Sequence, residues 1–176
     1  MASNLINSWL NSLDSEMLEE LVLLHVNDKH QPELEAQRIG VSDQIQNGVD
    51  VYVHARRPDL AHWGYQCKAY ARSKLTTAIF DKELKLCHEF DPPLDYYCSV
   101  TLNSRDARLQ QHARNACLHG KTNRVSIIAL EDLASIVQAS PMLKKHLIDF
   151  VMHPSDVRVI GEYLGLINGT MPSLTA

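Results

Sequence analysis

The 176-residue sequence has no apolar run approaching the roughly 20 residues that a membrane-spanning helix needs. Its opening, MASNLINSWLNSL, lacks the basic flank and small-residue cleavage site of a secretory signal. These absences predict a cytoplasmic protein that makes no use of a membrane. Cysteine is scarce and scattered: Cys67, Cys87, Cys98 and Cys117 form no CxxC pair, which excludes a zinc knuckle or disulfide framework and leaves buried, reduced thiols as the expectation. The nine histidines show no HExxH or other zinc spacing, so they read as surface or packing residues. Bulk positive charge is also missing. A formal net charge of -4 excludes a protein that coats nucleic acid by overall charge and leaves room only for a local basic groove. No stretch reads as a recognition helix or an aromatic stacking ladder, so base-specific reading is not implied.

What is present is an ordinary globular composition, 45% hydrophobic and 22% charged, enough for one sizeable core. SEMLEELVLLHVN, with Ser15 as N-cap and early glutamates, predicts an amphipathic first helix. Residues 28–47 read mostly as loop, with a short helix over PELEAQ. VDVYVHA and WGYQCKAY, separated by the polar RRPDLAH, predict a hairpin of two strands. Residues 76–90 return to helical spacing and stop before Pro92 and Pro93; DYYCSVTL is a short strand. A helix capped by Ser104 and stopped near Gly120 then leads to the strand RVSIIAL and two further helices. The order implies an α/β fold, a mixed sheet covered by helices on both faces. One domain is expected over residues 1–153; residues 154–176 read as a C-terminal helix and a linker-like tail.

Strand alternation puts Gln66 and Lys68 on one face, and the neighbouring strand can bring Asp50 beside them. A carboxylate, the side-chain oxygen of Gln66 and the backbone carbonyl of Cys67 suit Mg²⁺, which prefers oxygen ligands. Phosphodiester hydrolysis needs an activated water and compensation for charge growing on phosphorus oxygens, and an adjacent ammonium such as Lys68 supplies part of the latter. Spacing alone favours the blander reading, a solvent-facing lysine on an exposed sheet face.

The run RIGVSDQIQNGVDVYVHARRPDLAHWGYQCKAY resembles the GxD strand and QxK strand of the PD-(D/E)XK nuclease superfamily, in the form found at the N-terminus of bacterial anti-phage defence proteins. The likeness continues through KLTTAIFDKELKLCHEFDPPLDYYCSVTLNSRDARLQQHAR and covers roughly residues 18–150. It implies the restriction-endonuclease-like three-layer fold. It also implies roles: Asp50 as metal-binding aspartate, Gln66 in place of the usual second acidic residue, and Lys68 as catalytic lysine. LEEL resembles the family's helix motif and points to Glu19 as a further metal ligand, with Glu20 as competitor, although glutamates in a first helical turn usually serve only the helix dipole. Gln44 resembles a glutamine preceding the GxD strand. Basic residues near the proposed site, Arg56, Arg57, Arg72, Lys74 and Arg105, are the candidate DNA contacts, holding phosphates without reading bases.

The resemblance therefore implies a metal-dependent endonuclease, with Mg²⁺ or Mn²⁺, that cuts DNA, double-stranded by expectation, with little sequence preference. Its implied setting is anti-phage defence, with an NTPase or sensor partner that activates it and a homo-oligomer that brings two sites together. Two alternatives stand: a nucleic-acid-binding or assembly module of the same fold that has lost catalysis, against which intact Asp50 and Lys68 count, and a nuclease directed at RNA.

Overall fold

The computed structural model describes residues 2–30, 34–39, 47–55, 61–69, 73–121 and 124–151. The expected helix over SDVRVIGEYLGL and the tail lie outside them. In chain order the elements are α1 (Ala2–Leu10), α2 (Ser15–His30), β1 (Leu34–Arg38), β2 (Val51–Ala55), β3 (Trp63–Lys68), α3 (Thr77–Cys87), β4 (Tyr96–Thr101), α4 (Ala107–Asn115), β5 (Val125–Ile128), α5 (Leu130–Ala139) and α6 (Pro141–Val151). The five strands lie in sequence order, β1-β2-β3-β4-β5; β1, β2 and β3 are antiparallel neighbours, whereas β3-β4 and β4-β5 are parallel. The mixed sheet flanked by helices matches the expectation. The change from antiparallel to parallel falls at β3, where a helical crossover through α3 replaces a tight turn.

Alternation along the central strands divides the core into two. Val51, Val53, Tyr65, Cys67, Cys98 and Val100 point to the face covered by α1, α2, α5 and α6, where Trp9, Leu21, Leu133 and Leu147 pack. Tyr52 and Tyr97 point to the other face, beneath Phe80, Leu84 and Cys87 of α3 and Leu109 and Ala113 of α4. Both faces of β3 are covered, so a polar side chain there is buried and must find a partner.

Four local expectations are corrected. In place of the short helix expected over PELEAQ, its described part lies in edge strand β1, Leu34–Arg38, because pairing with β2, with Leu34 and Ala36 packed on the core, overrides the weak strand propensity of glutamate and alanine. Helix α2 is capped by Asp14 rather than Ser15, Asp14 Oδ1 accepting from the Met17 N–H at 2.8 Å. Helix α4 is capped by Asp106 rather than Ser104, its carboxylate accepting from the N–H groups of Arg108 and Leu109. That helix also ends at Asn115, so Gly120 stops no helix; at φ +75° it turns the chain between the bridged residues Leu118 and Lys121.

Candidate active site

The register of β2 on β3, Val51 opposite Tyr65, puts Asp50 opposite Gln66 one residue further along. Asp50 N–H donates to the Tyr65 carbonyl at 2.8 Å, and the Ile39 N–H donates to the Asp50 carbonyl at 2.8 Å, so the backbone is held from both sides. Its side chain replaces the next rung of the ladder: Asp50 Oδ2 accepts from the Cys67 N–H at 2.6 Å and from Gln66 Nε2 at 2.5 Å. Both bonds fall on Oδ2, leaving Oδ1 without a hydrogen bond among the described residues. Since the N–H and C=O of one strand residue face the same neighbour, the Cys67 carbonyl also faces the Asp50 side. The Cys67 side chain points the other way, into the α2 face, where burial pushes its thiol well above the usual range and holds it protonated.

Asp50 is 6% exposed, and burial lifts its carboxyl from 3.8 to about 6. The Cys67 N–H and the Lys68 ammonium oppose that rise; the negative charges of Glu19 and Glu83 add to it. Three carboxyl groups and one ammonium thus share one electrostatic neighbourhood. Lys68 lies on the same face of β3 as Gln66, as its spacing predicts, and is neither solvent-facing nor alone: its Nζ sits 3.5 Å from Glu83 Oε1 of α3, with the side chains 21% and 17% exposed.

Parallel pairing places Ser99 beside Gln66 and Thr101 beside Lys68. Asp50, Gln66, Ser99 and Thr101 are the buried polar residues among those described, all on one continuous strip of sheet.

The glycine of Gly48-Val49-Asp50 has a structural reason. Its φ of +69° lies in the left-handed region, and a Cβ there would come 2.8 Å from the Glu83 carbonyl oxygen. The approach to Asp50 and the helix that carries Glu83 therefore touch backbone to backbone.

Of the two helix glutamates, Glu19 acts on the site through its charge, which adds to the upward shift of both Asp50 and Cys67. Glu19 Oε2 accepts from Arg38 Nη2 at 2.6 Å and Nε at 3.1 Å, and this bond holds the guanidinium more firmly protonated.

No group of three or more His, Cys, Asp or Glu side chains gathers tightly enough to hold a metal among the described residues. The donors beside Asp50 are instead mixed oxygens: Asp50 Oδ1, the Gln66 side-chain oxygen and the Cys67 carbonyl. That set fits a hard divalent cation such as Mg²⁺ or Mn²⁺ that keeps several waters, and positive charge there would relieve the cost of ionising Asp50.

A cleft of ≈ 560 Å³ opens beyond the strip at the C-terminal ends of β4 and β5, lined in part by Thr101, Asn103, Lys74 and Arg105. Two of the predicted DNA contacts thus share one concavity. Arg105 is already engaged, its guanidinium bonded to Asp132 and its N–H donating to Glu131 Oε2 at 2.8 Å. Gln44, Arg56, Arg57 and Arg72 lie outside the described residues. No model of a known protein family matches the sequence, and no curated protein matches it.

Four residues of this neighbourhood escaped sequence reasoning: Glu83, Arg38, Ser99 and Thr101. Ser99 and Thr101 carry a signal in retrospect, two hydroxyl residues alternating with apolar ones in YCSVTL, which on a strand buried on both faces marks a polar strip. Glu83 and Arg38 carry none, because each reaches the site from another element.

Proposed function

We propose that this chain is a metal-dependent nuclease that hydrolyses phosphodiester bonds in DNA. The observation that carries the reading is the convergence of a buried carboxylate, Asp50, with Gln66 and Lys68 on one strip of sheet, and Glu19 close enough to act on it electrostatically. Buried charge is costly, and the core would be served more cheaply by apolar residues, so such a cluster is a functional-site signature.

Asp50 Oδ1, the Gln66 side-chain oxygen, the Cys67 carbonyl and Glu19 would hold the cation. When bound, it would supply Lewis-acid charge and acidify a water to a hydroxide-like nucleophile. Gln66 Nε2 and the Cys67 N–H fix the carboxylate so that it need not reorganise during the reaction. Lys68 places its ammonium where negative charge grows on the phosphoryl oxygens, and Glu83 holds that ammonium until substrate arrives. Arg38 holds Glu19 in the same way. The defence setting and activation by an NTPase or sensor partner belong to this proposal through the resemblance of the GxD and QxK strands alone.

The test is cleavage of supercoiled plasmid with Mg²⁺, with EDTA and with Lys68→Ala, at protein concentrations that permit self-association. Metal-dependent nicking or linearisation that disappears in Lys68→Ala is expected. Cleavage indifferent to that substitution would overturn the assignment.

A further inference from the structure

The cleft beside the site has the chemistry of a nucleotide seat. Its ≈ 560 Å³ falls within the roughly 300–1,000 Å³ of small-molecule sites. Leu75, Leu102, Leu109, Ala129 and Leu130 are all buried and form an apolar floor on which a flat ring can rest. Asn11, Ser104 and Gln110 place amide and hydroxyl groups at its border, suited to the polar edge of a base.

One ammonium at the cleft is free of an ion pair with the described residues. Lys74 is exposed and has no ion-pair partner among the described residues. Its backbone is pinned on both sides by one side chain: Asn103 Oδ1 accepts from the Leu75 N–H at 2.6 Å and Asn103 Nδ2 donates to the Ser73 carbonyl at 3.2 Å. The nearby carboxylates accept bonds from other groups of the protein, and of the three only Asp132 is paired with a cation among the described residues. Asp106 caps α4, Glu131 takes the Arg105 N–H, and Asp132 holds the Arg105 guanidinium. Among the described residues lining the cleft, Lys74 is thus the cation left to meet a ligand.

Position links the cleft to the chemistry. Thr101, which lines it, is the register partner of Lys68, about 4.8 Å away across the ladder. A chain whose reacting phosphate lies at Lys68 would lay its neighbouring nucleotide in the cleft.

We propose that the cleft seats one unpaired nucleotide next to the scissile phosphate, its base on the leucine floor and its phosphate at Lys74. A base inside a duplex reaches such a seat only by leaving its stack, so single-stranded or frayed nucleic acid is the preferred substrate over intact duplex. The location of the scissile phosphate rests on the nuclease reading; the affinity of the cleft does not require cleavage.

The experiment is fluorescence anisotropy of the whole chain in EDTA against short labelled probes: a single DNA strand, the same sequence as RNA, and a blunt DNA hairpin duplex, each over a salt series. Single strand is expected to bind about ten-fold tighter than duplex or more, with the DNA and RNA arms identifying which sugar is accepted. Lys74→Ala is expected to lower the slope of log affinity against log salt by about 0.7, one phosphate contact on a single strand. Ser104→Trp, which fills the cleft from an exposed position, is expected to abolish the preference; should it fail to fold, Gln110→Leu replaces it. Duplex bound as tightly as single strand, or single-strand binding unmoved by both substitutions, would overturn the proposal. Single-strand binding without metal-dependent cleavage of either plasmid or the single-strand probes in Mg²⁺ would leave the cleft and remove the nuclease; cleavage without single-strand preference would do the reverse.

Discussion

Replacing Asp50 by asparagine tests whether the carboxylate is held for function at the expense of stability. Burial raises its pKa in the folded chain from 3.8 to about 6, so the folded state holds that proton more tightly than the unfolded state. The stability this contributes is complete below pH 3.8 and is lost as pH rises through about 6. At about 1.36 kcal/mol per pH unit, the ionised carboxylate costs the folded chain about 3 kcal/mol at pH 8 relative to pH below 4. Asparagine keeps an oxygen that can accept from Gln66 Nε2 and the Cys67 N–H, and forgoes about 1 kcal/mol of charge-assisted strength in those bonds. The net expectation is a gain of about 2 kcal/mol at pH 8, or a Tm higher by about 4–8 °C in a domain of this size. At pH 4 the two proteins should differ little. Thermal denaturation followed by circular dichroism in EDTA, from pH 4 to pH 8, measures this directly. Adding Mg²⁺ should then raise the Tm of the wild type and leave Asp50→Asn unmoved. A variant less stable than wild type at pH 8, or an offset that does not change with pH, would refute the reasoning.

Three further outcomes follow from single contacts. Gly48→Ala forces a left-handed backbone on alanine and drives its Cβ to 2.8 Å from the Glu83 carbonyl, so it should cost about 1–3 kcal/mol in a urea titration; a loss under about 0.5 kcal/mol would mean that the turn relaxes freely. A double-mutant cycle of Lys68→Met and Glu83→Gln should return a coupling of about 0.5–1 kcal/mol, because the pair is only partly screened, and no measurable coupling would contradict the ion pair. Tyr97→Phe removes a buried hydroxyl that has no hydrogen-bond partner among the described residues, so stability should stay level or rise by up to about 1 kcal/mol, whereas a fall of that size would reveal a partner for it.

The fold was legible where local pattern and tertiary environment agree. VDVYVHA and WGYQCKAY carry strand periodicity, and they pair antiparallel as a hairpin. Thr76 caps α3 through its hydroxyl, which accepts from the Ile79 N–H, where the helical spacing predicted the helix to start. The pattern failed where another element decides. LEAQR is a strand because β2 lies beside it, and Ser104 loses the cap of α4 to Asp106 two residues on.

Within the candidate site, the sequence by itself determined that Gln66 and Lys68 share a face, because side chains alternate along any strand, and that Asp50 could stand near them. Only tertiary structure decided that this face is covered by α3, which makes Asp50 and Gln66 buried and lifts the carboxyl to about 6. Packing likewise paired Glu19 with Arg38 and brought Glu83 to Lys68 across a helix–sheet contact that Gly48 permits. The physical reason is one of range: a strand's period is written in adjacent residues, whereas burial and the partners of a charge depend on elements tens of residues apart that meet only when the core closes.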